Sequence, residues 1–309
     1  MITKKIIKQK IKTILEFKYI KIVVDSIKDF TSNDSMSFAA GTAFYTIFSL
    51  PAFLIIILNV GASLYEKDEI REEIFTQITS LAGEESRQTL ESILENFAFN
   101  AEDMISAGVA LLILMFSATT VFVSLQNAIN HIWHIKPKPT RGWLKLAINR
   151  ILSFSVVLVI GFILVLSLVL DAVVSFTFGK VDELLVNINL ELIYYVEIIV
   201  SQLILIVIFA LMYKILPDAK VRWKDTWAGA FITAVLFIVG KFLIGFYMGT
   251  NDISSTYGAA GSLVILLIWI YYSVVIFLFG AQITFYIAEN IGGGVRPKRQ
   301  AVRVEEVEI

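Results

Sequence analysis

The stretch GAAGSLVILLIWIYYSVVIFLFGAQITFYIA, residues Gly258–Ala288, contains no charged side chain. A helix needs roughly 20 apolar residues to cross a hydrocarbon core of about 30 Å, because each residue rises about 1.5 Å. This stretch is therefore long enough to span a membrane. A membrane β-barrel would instead show short segments of alternating polarity, and runs such as Ile160–Leu170 do not alternate. The sequence predicts transmembrane α-helices.

Five further runs of the chain have comparable length and polarity. The 309 residues are 57% hydrophobic and only 17% charged, whereas an average soluble domain is about 25% charged. We therefore predict an all-α, polytopic membrane helix bundle over residues 37–289, with six transmembrane helices. The five runs that join Gly258–Ala288 are Ser37–Tyr65, Met104–Leu125, Ile151–Phe178, Leu192–Leu216 and Thr226–Met248.

Lysine and arginine are distributed along the chain in a pattern that orients membrane proteins. Residues 1–36 contain eight lysines, and residues 126–150 contain five lysines and arginines and no acid, whereas residues 66–103 contain three such basic residues and eleven acids. Basic flanks stay in the cytoplasm, so we predict that both termini are cytoplasmic. Four tryptophans near cytoplasmic helix ends are expected in the headgroup layer: Trp133, Trp143, Trp223 and Trp227.

Three segments lie outside the predicted spans. Residues 1–36 alternate lysines with apolar residues, which is typical of an interfacial amphipathic helix on anionic lipid and, equally, of a solvated basic tail. Residues 66–103 carry apolar residues at helical spacing on both sides of Gly83, and we predict an acidic, extracytoplasmic hairpin of two amphipathic helices. The hairpin packs on the bundle, which we favour, or it forms a lid or partner surface. Residues 290–309 are expected to be a flexible cytoplasmic tail.

Ionisable residues within the predicted spans are candidates for a functional site, because charged groups in a bilayer are costly. They are Asp171, Glu197 and Lys241, all in the outer part of the predicted bilayer. Lys241 shares a helical face with Ala230 and Ala234, which predicts that it points into the bundle. Asp171 and Glu197 share their faces with Ser167, Ser175 and Ser201. We predict that these groups line a polar cavity open to the outside; alternatively, the carboxylates are interfacial and Lys241 snorkels outward.

Other candidate positions follow from local sequence. Small residues allow close helix packing and a helix-interior proline produces a kink, which singles out Pro51, Gly245, Gly249, Gly258 and Gly261. Polar and basic residues beyond the second span are candidate contacts with lipid headgroups at the cytoplasmic side: Asn127, Asn130, His131, Arg141 and Arg150. No metal, cofactor or catalytic set is expected. The chain has no cysteine, and its two histidines lack a neighbouring carboxylate in sequence.

A set of short motifs links the chain to a known family. The motifs are Ser37–Ala40, Phe44–Thr46, Ser49–Pro51, Asn130–Trp133, Leu216–Asp218, Val221–Trp223, Tyr257–Gly258, Leu266–Tyr271 and Gly280–Ala281. Through them, over roughly residues 30–290, the chain resembles the YihY/BrkB family of bacterial inner-membrane proteins. The resemblance implies a polytopic protein of six helices with a periplasmic segment after the first helix. It also implies an association with virulence and with transport of lipids or lipopolysaccharide precursors.

The label ribonuclease BN, which some members of that family carry, finds no support in this sequence. RNA cleavage requires metal-binding carboxylates and histidines or an equivalent acid–base pair, and residues 126–150 contain no Asp or Glu. We therefore expect neither an enzyme nor a nucleic-acid partner.

Three functions remain open from the sequence, and its oligomeric state is undetermined. The favoured one is transport or flipping of a lipid or amphipathic solute through the polar cavity, with membrane lipids as partners. The alternative is a non-transporting scaffold for envelope assembly that docks a protein partner through residues 66–103. A membrane enzyme is the least favoured, because no nucleophile–base arrangement is visible.

Overall fold

The computed structural model describes residues 18–61, 71–72, 74–76, 79, 84–96, 104–138, 190–250 and 261–304. Most of these residues are helical. The helices are α1 (Lys18–Ser32), α2 (Ser35–Gly61), α3 (Glu84–Asn96), α4 (Met104–Ile132), α5 (Leu190–Ile215), α6 (Trp223–Thr250) and α7 (Gly261–Asn290). Four short strands accompany them: β1 (Ile135–Pro137), β2 (Ala219–Lys220), β3 (Arg296–Pro297) and β4 (Ala301–Arg303).

Helix α7 lies at the centre of the described bundle. It packs against α1, α2, α4 and α6, and more sparingly against α3 and α5. Two helix pairs flank it. Helices α2 and α4 are joined by a hydrogen bond of 2.7 Å between the hydroxyls of Thr42 and Ser124, and α5 and α6 by one of 2.9 Å between Tyr213 and Thr233. The bundle is thus organised around the uncharged stretch that predicted the fold.

Helices α6 and α7 approach closely because glycines lie in their interface. A Cβ added at Gly229 would lie 2.8 Å from Cβ of Thr284, and one added at Gly280 would lie 2.9 Å from Cβ of Thr233. Such separations are shorter than any real contact, so only glycine fits at either position. In each helix, therefore, a glycine packs against a threonine of the other helix.

The described helices have the composition of membrane helices. Two segments, Trp223–Tyr247 and Leu263–Asn290, are long and apolar enough to cross a membrane, and Ile199–Ile215 is a shorter apolar segment. Large apolar side chains are exposed along α6: Phe231, Val235, Val239, Phe242, Leu243, Phe246 and Tyr247. An apolar stripe of this kind faces lipid or a partner rather than water. The predicted run Ile151–Phe178 lies outside the described residues, so the total of six spans stays a prediction.

Two short sheets at one end of the bundle depart from the predicted all-α fold. Strand β1 pairs antiparallel with β4, and β2 pairs antiparallel with β3. We call residues 133–138, 216–222 and 291–304 the platform. The expected flexible tail is therefore wrong for residues 291–304, because their backbone pairs with the chain that follows α4 and α5. The reversal after α7 uses Gly294, whose φ of 75° is easily reached only by glycine.

Helix α1 confirms the amphipathic character predicted for the N-terminal segment. Ile22, Ser26 and Phe30 are buried on the side that packs against α7, where the Phe30 and Phe279 rings meet edge to face at 5.4 Å. The adjacent apolar side chains are exposed: Tyr19, Ile20, Val23, Val24 and Ile27. Exposed apolar groups beside a row of lysines are typical of an interfacial helix, and residues 18–32 are therefore not a freely solvated tail.

The described part of the hairpin predicted over residues 66–103 agrees with its predicted helical form. Two crossed ion pairs join its arms, Arg71 to Glu91 at 2.9 Å and Arg87 to Glu72 at 3.0 Å. Both guanidinium groups lie 5.8 Å from the ring centroid of the buried Phe75. Helix α3 contacts α7 and α2, so the hairpin packs on the bundle.

Candidate functional site

The platform encloses a buried carboxylate, Asp218, which is 3% exposed. Its Oδ2 accepts a hydrogen bond of 3.1 Å from Nδ2 of Asn130, and its backbone N–H donates one of 2.8 Å to Oδ1 of the same asparagine. Its Oδ1 accepts a further hydrogen bond of 3.3 Å from Nε2 of Gln300. The end of α4, the loop after α5 and the C-terminal segment therefore meet at one carboxylate.

Lys298 brings a positive charge to this carboxylate. Its backbone N–H donates a hydrogen bond of 2.9 Å to the Asp218 carbonyl, and its Nζ donates one of 3.4 Å to the Ile215 carbonyl at the end of α5. Burial lowers the pKa of the Lys298 ammonium; the charge of Asp218 opposes this change, and Lys214 and Lys220 add to it. Asp218 is thus held by two amides and a nearby ammonium, which is the arrangement of a structural carboxylate.

The predicted headgroup contacts differ in their surroundings, and the structure contradicts lipid contact at one of them. Asn130 is 3% exposed and is bound to Asp218, so a role in lipid contact is wrong for it; it faces inward because α4 packs that side against the platform. His131 is half-buried and packs on the ring of Phe38, with ring centroids 4.6 Å apart. Asn127 is exposed, as a headgroup contact requires. Two candidates lie outside the described residues: Arg141 and Arg150.

Trp133 does not lie in the headgroup layer, contrary to the prediction. It is fully buried, and its Nε1 donates a hydrogen bond of 2.9 Å to the Ala281 carbonyl of α7. The following His134 has a φ of 53°, which turns the chain from α4 into β1. Trp223 and Trp227 are exposed, in agreement with the prediction. Trp143 lies outside the described residues.

The predicted cavity is described only in part. Lys241 is exposed on α6, so no neighbouring helix buries it; its place in a cavity open to the outside stays a prediction. The face of α6 that meets α7 passes through the neighbouring Gly240, where an added Cβ would lie 2.6 Å from Cδ1 of Ile276. Ser201 is exposed on α5. The remaining candidates are Asp171, Ser167 and Ser175, which lie outside the described residues, and Glu197, of which only the backbone in α5 is described.

The register of α5 and α6 determines how far apart Glu197 and Lys241 lie along the bundle. Tyr213 bonds to Thr233, and the Phe209 and Phe237 rings pack at 6.0 Å, so the two helices run antiparallel. Extending this register places the backbone of Glu197 about eight residues, or roughly 12 Å, beyond that of Lys241. A direct ion pair between Glu197 and Lys241 would have to span this offset along the bundle. That both residues line one polar cavity with Asp171 stays a prediction.

Burial decreases along the helices with distance from the platform. On α5, Tyr213 is fully buried and Leu203 is 56% exposed; on α6, Ala230 is fully buried and Phe246 is 74% exposed. Oε1 of Gln202, in the less buried half of α5, is enclosed and has no hydrogen-bond partner. The platform half of the described bundle is therefore close-packed, and the opposite half is more open.

The predicted packing and kink positions have different outcomes. Gly261 is buried at the start of α7, as close packing requires. Gly245 is exposed, and a Cβ added there would have no neighbour within 4 Å; packing within this chain is therefore wrong for Gly245, because it lies on the exposed face of α6. Helix α2 continues through Pro51, and Gly249 lies within α6. The kink stays a prediction, and Gly258 lies outside the described residues.

Two polar residues of this bundle were missed by the sequence reasoning. Asp218 falls in the motif Leu216–Asp218, where an acid stands among lysines and arginines, and that contrast could have identified it. Gln282 is fully buried in α7, and neither polar atom of its amide has a hydrogen-bond partner. An amide inside the uncharged run was visible in the sequence. Among the residues that the structure describes, no group of three His, Cys, Asp or Glu could hold a metal ion.

Comparisons with known proteins identify a family and a set of relatives for this chain. The family model described as virulence factor BrkB matches residues 26–305. A UPF0761 membrane protein of Idiomarina loihiensis is 29% identical over 228 residues, which cover 72% of this chain and 74% of that protein. UPF0761 membrane proteins of Delftia acidovorans and Verminephrobacter eiseniae are 28% and 27% identical, over 86% and 84% of this chain.

The match covers 62% and 60% of the Delftia and Verminephrobacter proteins, so this chain spans about three fifths of their length. No solved structure matches the chain. The matched family model nevertheless covers almost the whole sequence, including α7 and both sheets of the platform. The chain therefore belongs to the virulence factor BrkB family and is a membrane protein related to the UPF0761 proteins.

Proposed function

We propose that this protein is a six-span protein of the bacterial inner membrane, with both termini in the cytoplasm, that transports or flips a lipid or amphipathic solute. The platform would then face the cytoplasm, and the extracytoplasmic hairpin would lie at the outer mouth. The proposal rests on the unequal packing of the two halves of the bundle.

The open half of the bundle combines apolar helices with polar side chains. Ser201 and Lys241 are exposed there, and Oε1 of Gln202 is enclosed without a partner. An amphipathic solute requires both kinds of surface, since its chain contacts apolar side chains while its headgroup requires hydrogen-bond donors and acceptors. With the platform in the cytoplasm, the close-packed half of the bundle would face inward and the open half outward. Such an arrangement is compatible with one state of an alternating-access cycle.

Lipid movement in proteoliposomes tests the proposal. We expect Lys241→Met to slow transfer of a fluorescent phospholipid between leaflets by tenfold or more, because a lost charge-assisted contact of about 1.5–3 kcal/mol corresponds to at least that factor. Lys224→Met is the matched control, since Lys224 is exposed on the same helix at the platform end. Wild-type transfer no faster than in protein-free liposomes would remove the transport proposal, and equal transfer rates in the wild type and both variants would remove Lys241 from the path.

The orientation can be tested separately, because the chain has no cysteine. Single cysteines introduced by Glu84→Cys in the hairpin and by Arg299→Cys in the platform both lie at exposed positions. A membrane-impermeant maleimide added to intact cells with a permeabilised outer membrane should label the first and spare the second until the inner membrane is broken. Labelling in the reverse order would place the platform outside.

The alternative is a scaffold that docks an envelope protein through the hairpin. The described hairpin arms are held by their own ion pairs and pack on α7 and α2, which favours a structural role over docking. The charge-reversing change Glu84→Lys, at an exposed position, separates the two roles. A scaffold would lose its partner in cross-linking experiments, whereas a packing hairpin would leave folding and lipid transfer unchanged.

A further inference from the structure

Four cations gather on one side of the platform. Strands β2 and β3 place Lys220 directly opposite Arg296, and directly opposed residues of an antiparallel pair lie on the same face of the sheet. Lys214 and Lys298 lie beside them, and their charges and that of Lys220 are close enough to influence one another. Like charges directly opposite each other destabilise a strand pair, so the arrangement has a cost that a bound anion would remove.

The local structure explains two of these cations without any ligand. Nζ of Lys214 donates a hydrogen bond to the Val221 carbonyl, and Nζ of Lys298 donates one to the Ile215 carbonyl. Lysines commonly satisfy free carbonyls at the C-terminus of a helix, as Lys298 does for α5, whereas Lys214 binds a carbonyl in the segment between α5 and α6. No such role accounts for Lys220 and Arg296. In the part of the chain that the structure describes, neither is within ion-pair distance of a carboxylate.

The two acids closest to Lys220 in sequence are already bound to other partners. Asp218 is buried and binds Asn130 and Gln300, and Asp225 binds the guanidinium of Arg222 at 3.1 Å. Among the described residues, the positive charge of Lys220 and Arg296 therefore has no carboxylate partner.

Two exposed tryptophans mark the depth of this face. Trp223 is 47% exposed and Trp227 is 43% exposed; they are one helical turn apart at the start of α6, and Nζ of Lys214 lies 5.2 Å from the Trp223 ring centroid. Exposed tryptophans at the end of a membrane helix lie at the level of the lipid headgroups. The cations of β2 and β3 precede and adjoin this helix start, so the anion within their reach is a headgroup phosphate.

We propose that Lys220 and Arg296, supported by Lys214 and Lys298, bind the phosphate of an anionic lipid headgroup at the edge of the platform. This site is distinct from the predicted headgroup contacts on α4. It goes beyond the proposed transport function, because it would hold a lipid in place whether or not the protein moves one.

Quenching of tryptophan fluorescence by brominated lipids tests the site in the full-length protein. Wild-type protein in phosphatidylcholine vesicles should be quenched preferentially by brominated phosphatidylglycerol over brominated phosphatidylcholine. The double variant Lys220→Gln/Arg296→Gln should reduce the preference for phosphatidylglycerol about 25-fold, because each basic residue near an anionic surface contributes about fivefold. The single variant Lys220→Gln should reduce it about fivefold.

The matched control is Lys136→Gln/Lys138→Gln, which removes two exposed lysines from the other sheet region of the platform. A preference that is unchanged in the control and lost in the double variant supports the site. An equal loss in both variants would reduce the effect to general surface charge and overturn the proposal, as would an unchanged preference in both. Far-UV circular dichroism verifies that each variant is folded.

Inorganic phosphate distinguishes the two sources of the anion. Displacement of brominated phosphatidylglycerol by inorganic phosphate, with chloride at equal ionic strength as the reference, assigns the recognition to phosphate itself. Displacement no greater than that by chloride assigns it to the whole lipid headgroup. Both results retain the site, and loss of the lipid preference in the double variant is required in either case.

Discussion

The hydrogen-bonded pair Asn130 and Asp218 leads to a quantitative prediction: Asn130→Ala should destabilise the protein strongly. The two side chains join segments 88 residues apart in sequence, and both are 3% exposed. Removing the amide leaves a buried carboxylate without one of its donors and a buried backbone N–H without its acceptor. Because both residues are buried, water does not easily replace the lost partners.

The magnitude follows from the two hydrogen bonds. The bond from Nδ2 to Oδ2 of Asp218, 3.1 Å long, ends on a charged group and contributes about 1.5–3 kcal/mol. The bond from the Asp218 N–H to Oδ1, 2.8 Å long, contributes about 0.5–1.5 kcal/mol. Gln300 still binds the carboxylate, so we expect a loss of about 2–4 kcal/mol in the free energy of unfolding.

The measurement is equilibrium unfolding in mixed detergent micelles, followed by far-UV circular dichroism and by tryptophan fluorescence. Asn127→Ala is a matched control, because Asn127 is the same residue type on the same helix and is exposed; it should change the free energy of unfolding by less than about 0.5 kcal/mol. A double-mutant cycle with Asp218→Ala should give a coupling energy of about 1–3 kcal/mol. Equal stabilities of the Asn127 and Asn130 variants, or a coupling energy near zero, would refute the reasoning.

Three further predictions use the same unfolding assay. Gly280→Val should lower stability by about 1–3 kcal/mol or more, because its side chain would overlap Thr233; a neutral effect would contradict the close approach of α6 and α7. Gln282→Leu should raise stability by about 1–3 kcal/mol, since it removes a buried amide without partners, and a loss would mean that the amide is in use. The pKa of Lys298 is lowered in the folded protein from its ordinary value of 10.5. At a pH between these two values, the unfolded chain binds more protons at Lys298 than the folded protein does. Stability should therefore rise with pH across that interval, and Lys298→Met should remove this rise if Lys298 is its source.

The helical part of the fold could be predicted because it depends on local properties of the sequence. Length and polarity identify α6 and α7 directly, and the apolar residues Ile22 and Phe30 of the predicted amphipathic helix lie on the buried face of α1. Such a pattern recurs at every turn of a helix, so one sequence shows the same pattern several times within each helix. The hairpin was predicted for the same reason.

The platform could not be predicted, because its strands contain only two or three residues. A strand this short has no measurable alternation of polarity. The partners of Asp218 are 88 and 82 residues away, and a single sequence gives no indication of such distant contacts. Asn130 and Trp133 were therefore assigned to the membrane surface from their residue types, whereas tertiary packing buries both.

The candidate cavity shows the limit of helical phase as a guide. Phase places Lys241 on the same face as Ala230 and Ala234, and both alanines are buried as expected. Helical phase identifies the face on which a residue lies. It does not indicate at which point along a helix the neighbouring helices cease to cover that face. Lys241 lies where that cover has decreased, and it is exposed.

The pairing of β3 and β4 with earlier parts of the chain also has a consequence for biosynthesis. A ribosome releases residues 296–303 only after α7 has been made, so β1 and β2 must wait with free edges while the preceding helices enter the bilayer. Until then Asp218 lacks Gln300 as well. Completion of the platform is thus a late maturation step, and nascent chains stopped before residue 296 should be preferred substrates of membrane quality-control proteases.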